Sequence, residues 1–411
     1  MIKQRVLSQS IPIFTHLFLQ NVVNNFEITT PTTLIFGKDQ LERIPEQIAK
    51  HTEEKKIIVL YGGGSVERSG FLDKLKTALS SFEVHLFGGI EANPEFSTLM
   101  KAVEYIREHQ IGFMLAVGGG SVIDGTKFIS GAVGYENDPW EVLLREPGKV
   151  FTTAVPFGCI LTIPATGSEC NSGAVISRSE LKEKRTMGGP LFFPKFALLD
   201  PTFVATLPKR QLANGIIDAF THTTEQYLTF TGENLLQERF AEGILSTLIE
   251  IGPKVLENPA DYEMAAQLMY CANQALNGML RCGVTTDWAT HMIGHELTAL
   301  HGIDHAQTLA IIGPRLYEMK FDNKKEKLAQ YGKRVWGLIG DDTSIAKSAI
   351  EKTEAFFQSL GVATRISQYD ENCQNTPTVI KNRFIERNWV AMGERQDLTP
   401  DEVEQIVKNA I

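Results

Sequence analysis

Five side chains in the second half of the sequence have the types and spacing of metal ligands. Asp218 and His222 are four residues apart, and so are His291 and His295, which His305 follows. On a helix, a spacing of four points both side chains of a pair to the same face. One carboxylate and three imidazoles converging from three helices would form a mixed oxygen and nitrogen shell, which suits Fe²⁺ or Zn²⁺ better than Ca²⁺ or Mg²⁺.

A single pair of this kind is common by chance, so the metal hypothesis depends on the convergence of several pairs. His305 follows Gly302, a residue type that often ends helices, and is expected near the start of the next helix. If the protein ligands lie on only one side of the metal, coordination positions on its other side stay open for a substrate oxygen. The HxxxH pattern at residues 291–295 lacks the glutamate of the HExxH motif, so a metalloprotease is not indicated.

Two identical GGGS turns, at residues 62–65 and 118–121, each follow an apolar run and precede a helical pattern. Glycine lets the backbone turn tightly and approach a phosphate, and the start of the next helix offers free N–H groups and a partial positive charge. Neither turn has the GxGxxG pattern of the common dinucleotide fingerprint. Two such turns in successive strand–helix units nevertheless favour a dinucleotide site. The TIPATGSE stretch at 162–169 has hydroxyl and small side chains suited to lining a cofactor channel.

The two halves of the chain have different hydrophobic patterns. Short apolar runs alternate with helical stretches before about residue 205, as in an α/β fold with a buried parallel sheet. Helical spacing of apolar residues takes over after about residue 207. We predict an N-terminal extension (1–24), an α/β dinucleotide-binding domain with a parallel, Rossmann-like sheet (25–206) and an all-α metal-binding domain (207–411). The clearest strands are expected at 57–61, 84–87 and 113–117, and the clearest helices at 213–227, 238–251, 262–277, 289–300, 344–360 and 400–410.

The composition is that of a globular protein. The chain has 411 residues, of which 43% are hydrophobic and 22% charged, with a net charge of −9. Because an acidic chain is poorly suited to nucleic acid or an anionic membrane, neither partner is expected. The five cysteines form no CxxC pair, which indicates neither a disulfide framework nor a thiolate zinc site, so a cytoplasmic location is expected. Residues 11–23 are apolar but interrupted and too short to span a bilayer, so no membrane segment or signal peptide is expected.

Several longer motifs follow one another along the chain. In order, they are GGGS, EANPE, GGGSVIDGTK, PATGSE, LDP, NGIIDAFTHTTEQY, DWATHMIGHELTA and GIDHAQTLAI. Taken together, these motifs resemble the iron-containing (group III) alcohol dehydrogenase family, in its NADPH-dependent aldehyde reductase or butanol dehydrogenase-like branch. The resemblance covers nearly everything from residue 25 onward and implies a dehydroquinate synthase-like two-domain fold, with the active site in the cleft between the domains. It also implies a homodimer.

The resemblance implies roles for individual residues. The metal ligands, for iron or zinc, are Asp218, His222, His291 and His305, whereas His295 matches a non-ligand histidine that we assign to the proton route or to the nicotinamide pocket. The expected cofactor contacts are Gly119, Gly120 and Ser121 at the pyrophosphate turn with Asp124 after it, Asn93 on the adenosine side, Thr162, Thr166 and Ser168 near the nicotinamide half, and Asn171 and Lys184 at the nicotinamide ribose.

The first glycine turn also indicates the preferred cofactor. NAD-preferring members of the family usually carry an acidic residue just after the first strand, and none stands in residues 61–65. Gly63 and Ser65 are therefore expected to receive a 2′-phosphate, which favours NADP(H) over NAD(H). Two residues depart from the pattern of this branch: Glu67 stands where a basic residue is expected, and Phe203 stands where a tyrosine is common.

The sequence thus predicts a metal-dependent alcohol dehydrogenase or aldehyde reductase that transfers hydride between NADP(H) and small aldehydes or primary alcohols. A glycerol dehydrogenase-like polyol oxidoreductase with the same fold is the first alternative. The second, from another class, is a metal-dependent hydrolase that uses no dinucleotide. The Asp-x3-His and His-x13-His spacings favour the alcohol dehydrogenase.

Overall fold

A computed structural model describes residues 23–232 and 234–411, so the predicted extension lies outside the described residues apart from its last two positions. The first half of the chain forms strands and short helices, and the second half forms helices. The strands are β1 (Thr33–Phe36), β2 (Lys56–Tyr61), β3 (Glu83–Phe87), β4 (Phe113–Gly118), β5 (Phe157–Leu161), β6 (Gly173–Arg178), β7 (Glu183–Gly188) and β8 (Phe196–Leu199). The helices of the first half are α1 (Ile44–Ala49), α2 (Ser65–Arg68), α3 (Phe71–Ala78), α4 (Phe96–His109), α5 (Gly120–Ala132) and α6 (Trp140–Leu143). Those of the second half are α7 (Lys209–Tyr227), α8 (Leu235–Glu257), α9 (Tyr262–Leu276), α10 (Ala289–His301), α11 (His305–Met319), α12 (Phe321–Arg334), α13 (Asp342–Ser359), α14 (Thr376–Glu386) and α15 (Pro400–Asn409).

A parallel sheet organises the first half, with the strand order β1-β8-β5-β4-β2-β3. Its central strands are continuous apolar runs because helices cover both faces. From β2 the chain continues to β3 on one side and then crosses back to β4 on the other. Ligands of such sheets bind where the strand order reverses, outside the carboxyl ends of the strands. The two GGGS turns follow β2 and β4, so both lie at this reversal.

A small antiparallel hairpin of β6 and β7 stands apart from the main sheet. The sequence did not predict it, because its second strand is mostly polar and has no apolar alternation. Contacts with distant residues hold it in place: the backbone N–H of Ser177 donates to the carbonyl of Pro94, and that of Val175 donates to the Asp124 carboxylate on α5. The hairpin carries Lys184 toward the second half of the chain.

One continuous apolar core extends from one face of the sheet into the helical half. At the junction, α7 contacts the loop after β5 so closely that a side chain at Gly215 would collide with the carbonyl oxygen of Pro164. The last strand ends at Leu199 and α7 begins at Lys209, so the predicted division between 206 and 207 falls in the connection and stays a prediction.

The predicted fold class is confirmed: a parallel α/β sheet is followed by an all-helical half. Among the residues that the structure describes, no helix is both long enough and apolar enough to cross a membrane.

Candidate metal centre and cofactor cleft

The four predicted ligand side chains come together between α7, α10 and α11. Asp218 Oδ1 lies 3.7 Å from His222 Nδ1, 3.8 Å from His291 Nε2 and 3.8 Å from His305 Nε2. Single ligand atoms of Asp218, His222 and His291 all lie within 4.8 Å of one another. These three residues are buried, with 3%, 5% and 7% of their surface exposed, so the group is not a surface patch.

The helices are positioned for this convergence by a close approach of α10 and α11. A Cβ atom at Gly294 would lie 2.7 Å from the Thr308 hydroxyl, so only glycine lets the two helices come this near. Gly294 lies on α10 between His291 and His295, and His305 is the first residue of α11. The contact therefore brings His291 and His305 to the same place.

The start of α11 is also tied to α7. The side-chain amide of Asn214 donates a 2.8 Å hydrogen bond to Asp304, the residue before His305, and Arg210 lies 3.1 Å from the same carboxylate. Because Asn214 is four residues before Asp218 on α7, this bond fixes the distance between the two ligand-bearing elements.

The buried atoms of the cluster fit a divalent cation. Asp218 Oδ1, His222 Nδ1 and His291 Nε2 are shielded from solvent and have no hydrogen-bond partner among the described residues. Buried polar atoms in proteins are nearly always hydrogen-bonded, so three such atoms facing one another fit a site that binds a cation. A carboxylate and imidazoles are the donor set that Fe²⁺ and Zn²⁺ accept.

The pKa values of two of the imidazoles, His222 and His305, also suit a metal, which requires neutral histidine. Burial lowers the pKa of His222 to about 4, although the adjacent Asp218 opposes the shift. Burial likewise holds the pKa of His305 well below its usual value. His291 differs: burial lowers its pKa, but the carboxylates of Glu225 and Asp218 outweigh burial and raise it to about 9.

His295 lies beside the cluster without belonging to it. It follows His291 by one turn of α10, and its ring centroid is 5.0 Å from that of His305. Burial and the nearby Lys184 hold its pKa well below the ordinary value, so the imidazole is neutral. Its catalytic role stays a prediction.

The predicted pyrophosphate turn lies at the start of α5. Gly119 precedes the helix in an extended conformation and Gly120 is its first residue, so the helix N-terminus faces the end of β4. The Ser121 hydroxyl donates to the carbonyl oxygen of Ala92, which joins this turn to the loop that carries Asn93. The backbone N–H of Thr162 donates to the last residue of β4 at 2.9 Å, which brings the TIPATGSE loop to the same edge.

Lys127, to which the sequence assigned no role, organises the TIPATGSE loop. Its ammonium is fully buried and donates to Ser168 Oγ at 2.7 Å, to Asn171 Oδ1 at 2.9 Å and to the Gly173 carbonyl at 2.6 Å. Lys127 follows Asp124 by three residues on α5. This spacing, which places both side chains on one helix face, was the only feature of the sequence that could have indicated the pair.

Asp124 completes the same network. Its carboxylate accepts hydrogen bonds from the Ser168 hydroxyl and from the backbone N–H of Val175, and burial raises its pKa although Lys127 opposes the shift. Thr166 Oγ1 accepts from the backbone N–H of Ser168 at 3.2 Å. Asp124, Ser168 and Asn171 thus hold the loop together, and the predicted cofactor contacts of these residues, Thr162 and Thr166 stay predictions.

Lys184 and Asn93 are joined by a 3.2 Å hydrogen bond from Nζ to Oδ1. Burial lowers the pKa of Lys184 to about 8, although Asp124 and Asp218 oppose the shift. Asn93 lies beside Lys184, and the predicted contact of Asn93 with the adenosine side of the cofactor stays a prediction.

The first glycine turn leads into α2, which begins at Ser65. Arg68 lies over this turn, with its guanidinium 3.5 Å from the Gly63 carbonyl oxygen. Glu67, the residue that departs from the expected basic pattern, accepts a 2.6 Å hydrogen bond from the Tyr61 hydroxyl. The Arg68 guanidinium therefore lies beside the turn, and the nearest carboxylate, that of Glu67, is hydrogen-bonded to the Tyr61 hydroxyl.

Two family models match the chain over most of its length. The model described as iron-containing alcohol dehydrogenase matches residues 31–201, and the model for the C-terminal part of the Fe-containing alcohol dehydrogenase family matches residues 212–411. The chain belongs to the iron-containing alcohol dehydrogenase family. The family predicted from the motifs is confirmed.

Individual members of the family are similar along their whole length. The NADPH-dependent aldehyde reductase YqhD of Escherichia coli K12 is 49% identical over 391 residues, which cover 94% of this chain and 100% of YqhD. A crystal structure of YqhD superposes with a TM-score of 0.92 at 47% identity, covering 95% of this chain and 100% of that one. A probable NADH-dependent butanol dehydrogenase of Bacillus subtilis is 38% identical over 95% of this chain and 100% of its own length. The two named relatives differ in cofactor, so family membership alone does not decide between NADPH and NADH.

Proposed function

We propose that this protein is a metal-dependent aldehyde reductase and alcohol dehydrogenase that transfers hydride between NADP(H) and small aldehydes or primary alcohols. The observation that carries the proposal is the convergence of one carboxylate and three imidazoles, in which the facing atoms of Asp218, His222 and His291 are buried and have no partner among the described residues. The names of the similar proteins, an aldehyde reductase and a butanol dehydrogenase, support a redox role over the hydrolase alternative.

Asp218, His222, His291 and His305 would hold the metal. A divalent cation bound there supplies Lewis acidity toward the carbonyl group of a substrate. The chain's part is to present these side chains already converged and dehydrated, because the helix contacts at Gly294 fix them before any ligand arrives.

The nucleotide would lie along the edge where both glycine turns end, and its nicotinamide supplies the hydride. The α5 N-terminus offers backbone N–H groups to the pyrophosphate, and the Ser121 bond to Ala92 keeps that turn closed. Lys184, whose ammonium donates to Asn93, would orient the nicotinamide ribose, and Asn93 would contact the adenosine side.

His295 would carry or pass a proton at the side of the metal cluster, where its neutral ring lies next to that of His305. Trp288 forms a wall on another side, with its ring centroid 5.5 Å from that of His291. The Trp288 backbone is left-handed, at φ 72°, which is rare for a bulky residue and occurs where a surrounding structure enforces it. A fixed aromatic wall beside the site favours small substrates.

The preference for NADPH can be tested at Gly63. Among the described residues, a Cβ at this position would have no neighbour within 4 Å, so Gly63→Asp adds a charge without a clash. We expect this change to weaken NADPH binding by about tenfold or more, because the carboxylate repels the 2′-phosphate, and to leave NADH binding nearly unchanged. Fluorescence titration with each nucleotide measures both affinities.

Gly63→Asn is the matched control, since it has the same shape without the charge. It is expected to bind NADPH almost as well as the unchanged protein. An equal loss of NADPH and NADH affinity in the aspartate variant would contradict the assignment of the 2′-phosphate to this turn.

We further propose a homodimer in the cytoplasm. In the described part of the chain, β1 pairs only with β8, and Leu34 and Phe36 on this edge strand are 36% and 39% exposed. Phe26 and Ile28, just before it, are exposed as well. An unpaired apolar edge is a favourable place for a second copy to pair. Light scattering of a Phe26→Lys, Ile28→Lys variant tests the dimer, since a monomeric mass is expected and an unchanged mass would contradict this interface.

The five cysteines are all unpaired, as expected in a reducing compartment, which supports the cytoplasmic location.

A further inference from the structure

Glu225 is a buried carboxylate on the same face of α7 as Asp218 and His222, seven and three residues after them. Its Oε2 is hydrogen-bonded to Nδ1 of His291 on α10. Its Oε1 accepts the backbone N–H of Thr290 at 2.6 Å and, more weakly, that of His291 at 3.4 Å. Glu225 thus contacts one predicted metal ligand without facing the metal cluster itself.

We propose that Glu225 is a positioning residue that fixes the tautomer and the ring orientation of His291 so that Nε2 is presented to the metal. The inference rests on the proposed metal site and adds a residue to which the sequence analysis gave no role. Imidazole ligands commonly donate their other ring N–H to a carboxylate, and this bond sets which nitrogen is free to bind.

The hydrogen-bond geometry decides the tautomer. Backbone N–H groups can only donate, so the Glu225 carboxylate acts as an acceptor toward α10. A carboxylate is also a weaker base than an imidazole, so the shared proton belongs on Nδ1 of His291. The lone pair then lies on Nε2, the atom that is 3.8 Å from Asp218 Oδ1 and has no partner among the described residues.

The Glu225 carboxylate also accepts hydrogen bonds at the N-terminus of α10, the helix that carries His291. Asp287 accepts the N–H of Ala289 at 3.0 Å, and Glu225 accepts the next two N–H groups of α10. The backbone N–H of Asp287 in turn donates to the Glu225 carbonyl at 2.9 Å. Carboxylates at a helix N-terminus stabilise it, so α7 and α10 are locked together where His291 lies.

Charge gives a second reason for a glutamate at this position. A divalent cation with Asp218 as its only carboxylate ligand leaves one net positive charge in a buried site. Glu225, which contacts His291, supplies the compensating negative charge. Opposite charges interact strongly when both are buried away from water. Glutamine would lack this charge, and its NH₂ group would face either the ring N–H or the backbone N–H groups.

The first test measures zinc binding to the metal-free protein. We expect Glu225→Gln to weaken Zn²⁺ binding by about 10- to 100-fold in competition with a chromophoric chelator. Asp287→Asn is the matched control because Asp287 caps the same helix end but touches no imidazole. Both variants are expected to unfold at lower temperature, and only Glu225→Gln is expected to lose zinc affinity.

The second test is a spectroscopic signature that a purely structural role would not move. In the metal-free protein labelled with ¹⁵N at histidine and measured above pH 9, where the ring is neutral because the pKa of His291 is about 9, the single His291 ring proton is expected on Nδ1. In Glu225→Gln it is expected to shift toward Nε2. A neutral ring with its proton on Nε2 in the unchanged protein would overturn the proposal even if the variant does not fold. Equal zinc affinity in the unchanged protein and in Glu225→Gln would overturn the role of Glu225 alone, whereas no zinc binding by the unchanged protein would overturn the metal site as well.

Discussion

Replacing Asp218 or His305 with alanine is expected to remove the bound metal and to lower turnover by about 10³-fold, because Lewis-acid stabilisation contributes several kcal/mol and each 1.36 kcal/mol is a factor of ten. Asp218 lies within 4 Å of a ring nitrogen of each of the three histidines, so its loss leaves the imidazoles without their shared carboxylate. Elemental analysis of the purified variants and NADPH oxidation with a short aldehyde measure the two effects.

His301→Ala is the control for this prediction. His301 also lies on α10, but its ring is bonded to Asp370 at 2.7 Å and to Thr376 at 2.8 Å, away from the cluster. This variant is expected to keep its metal. An Asp218 or His305 variant that retained both metal and rate would show that the ligands are assigned wrongly.

Lys127→Met is expected to lower the free energy of unfolding by about 3–5 kcal/mol, the usual cost of removing one partner of a buried ion pair. The ammonium is the donor to three acceptors and lies 4.0 Å from the Asp124 carboxylate, so methionine leaves a buried negative charge and unpaired oxygens. Because the same network holds the loop of Ser168 and Asn171, NADPH affinity is also expected to fall. Urea unfolding gives the stability, and nucleotide titration gives the affinity.

Two companion variants identify the cause of that loss. Lys101→Met removes an exposed lysine from α4 and is expected to change stability by less than about 0.5 kcal/mol. Adding Asp124→Asn to Lys127→Met removes the uncompensated charge, so the double variant is expected to be more stable than Lys127→Met alone. If Lys127→Met were as stable as Lys101→Met, the buried network would have no structural importance.

Much of the fold could be predicted from local patterns. The run at 57–61 corresponds to β2 (Lys56–Tyr61), and the pattern at 262–277 corresponds to α9 (Tyr262–Leu276). Both elements bury apolar side chains at the period of their secondary structure, which a sequence displays directly. The start of α7 was predicted four residues late, because Lys209, Arg210 and Gln211 are polar first-turn residues that have no apolar periodicity.

The hairpin and the buried charges could not be predicted, because they depend on contacts between distant residues. Lys127 is 44 residues from Asn171, and Glu225 is 66 residues from His291. A lysine or glutamate on a helix is usually solvated, so only the folded chain shows that these two are buried and paired. The ligand group differs: spacing and family resemblance selected the residues, and the structure brings all four together. Their assignment as metal ligands stays a prediction.

The central claim is that one divalent cation binds Asp218, His222, His291 and His305. The most direct measurement is a crystallographic anomalous difference map, collected at the iron and zinc absorption edges from protein purified without chelators. The predicted result is a single strong peak about 2.0–2.2 Å from Asp218 Oδ1 and from one ring nitrogen of each histidine. A map with no peak among these four side chains, in protein that reduces aldehydes with NADPH, would contradict the account.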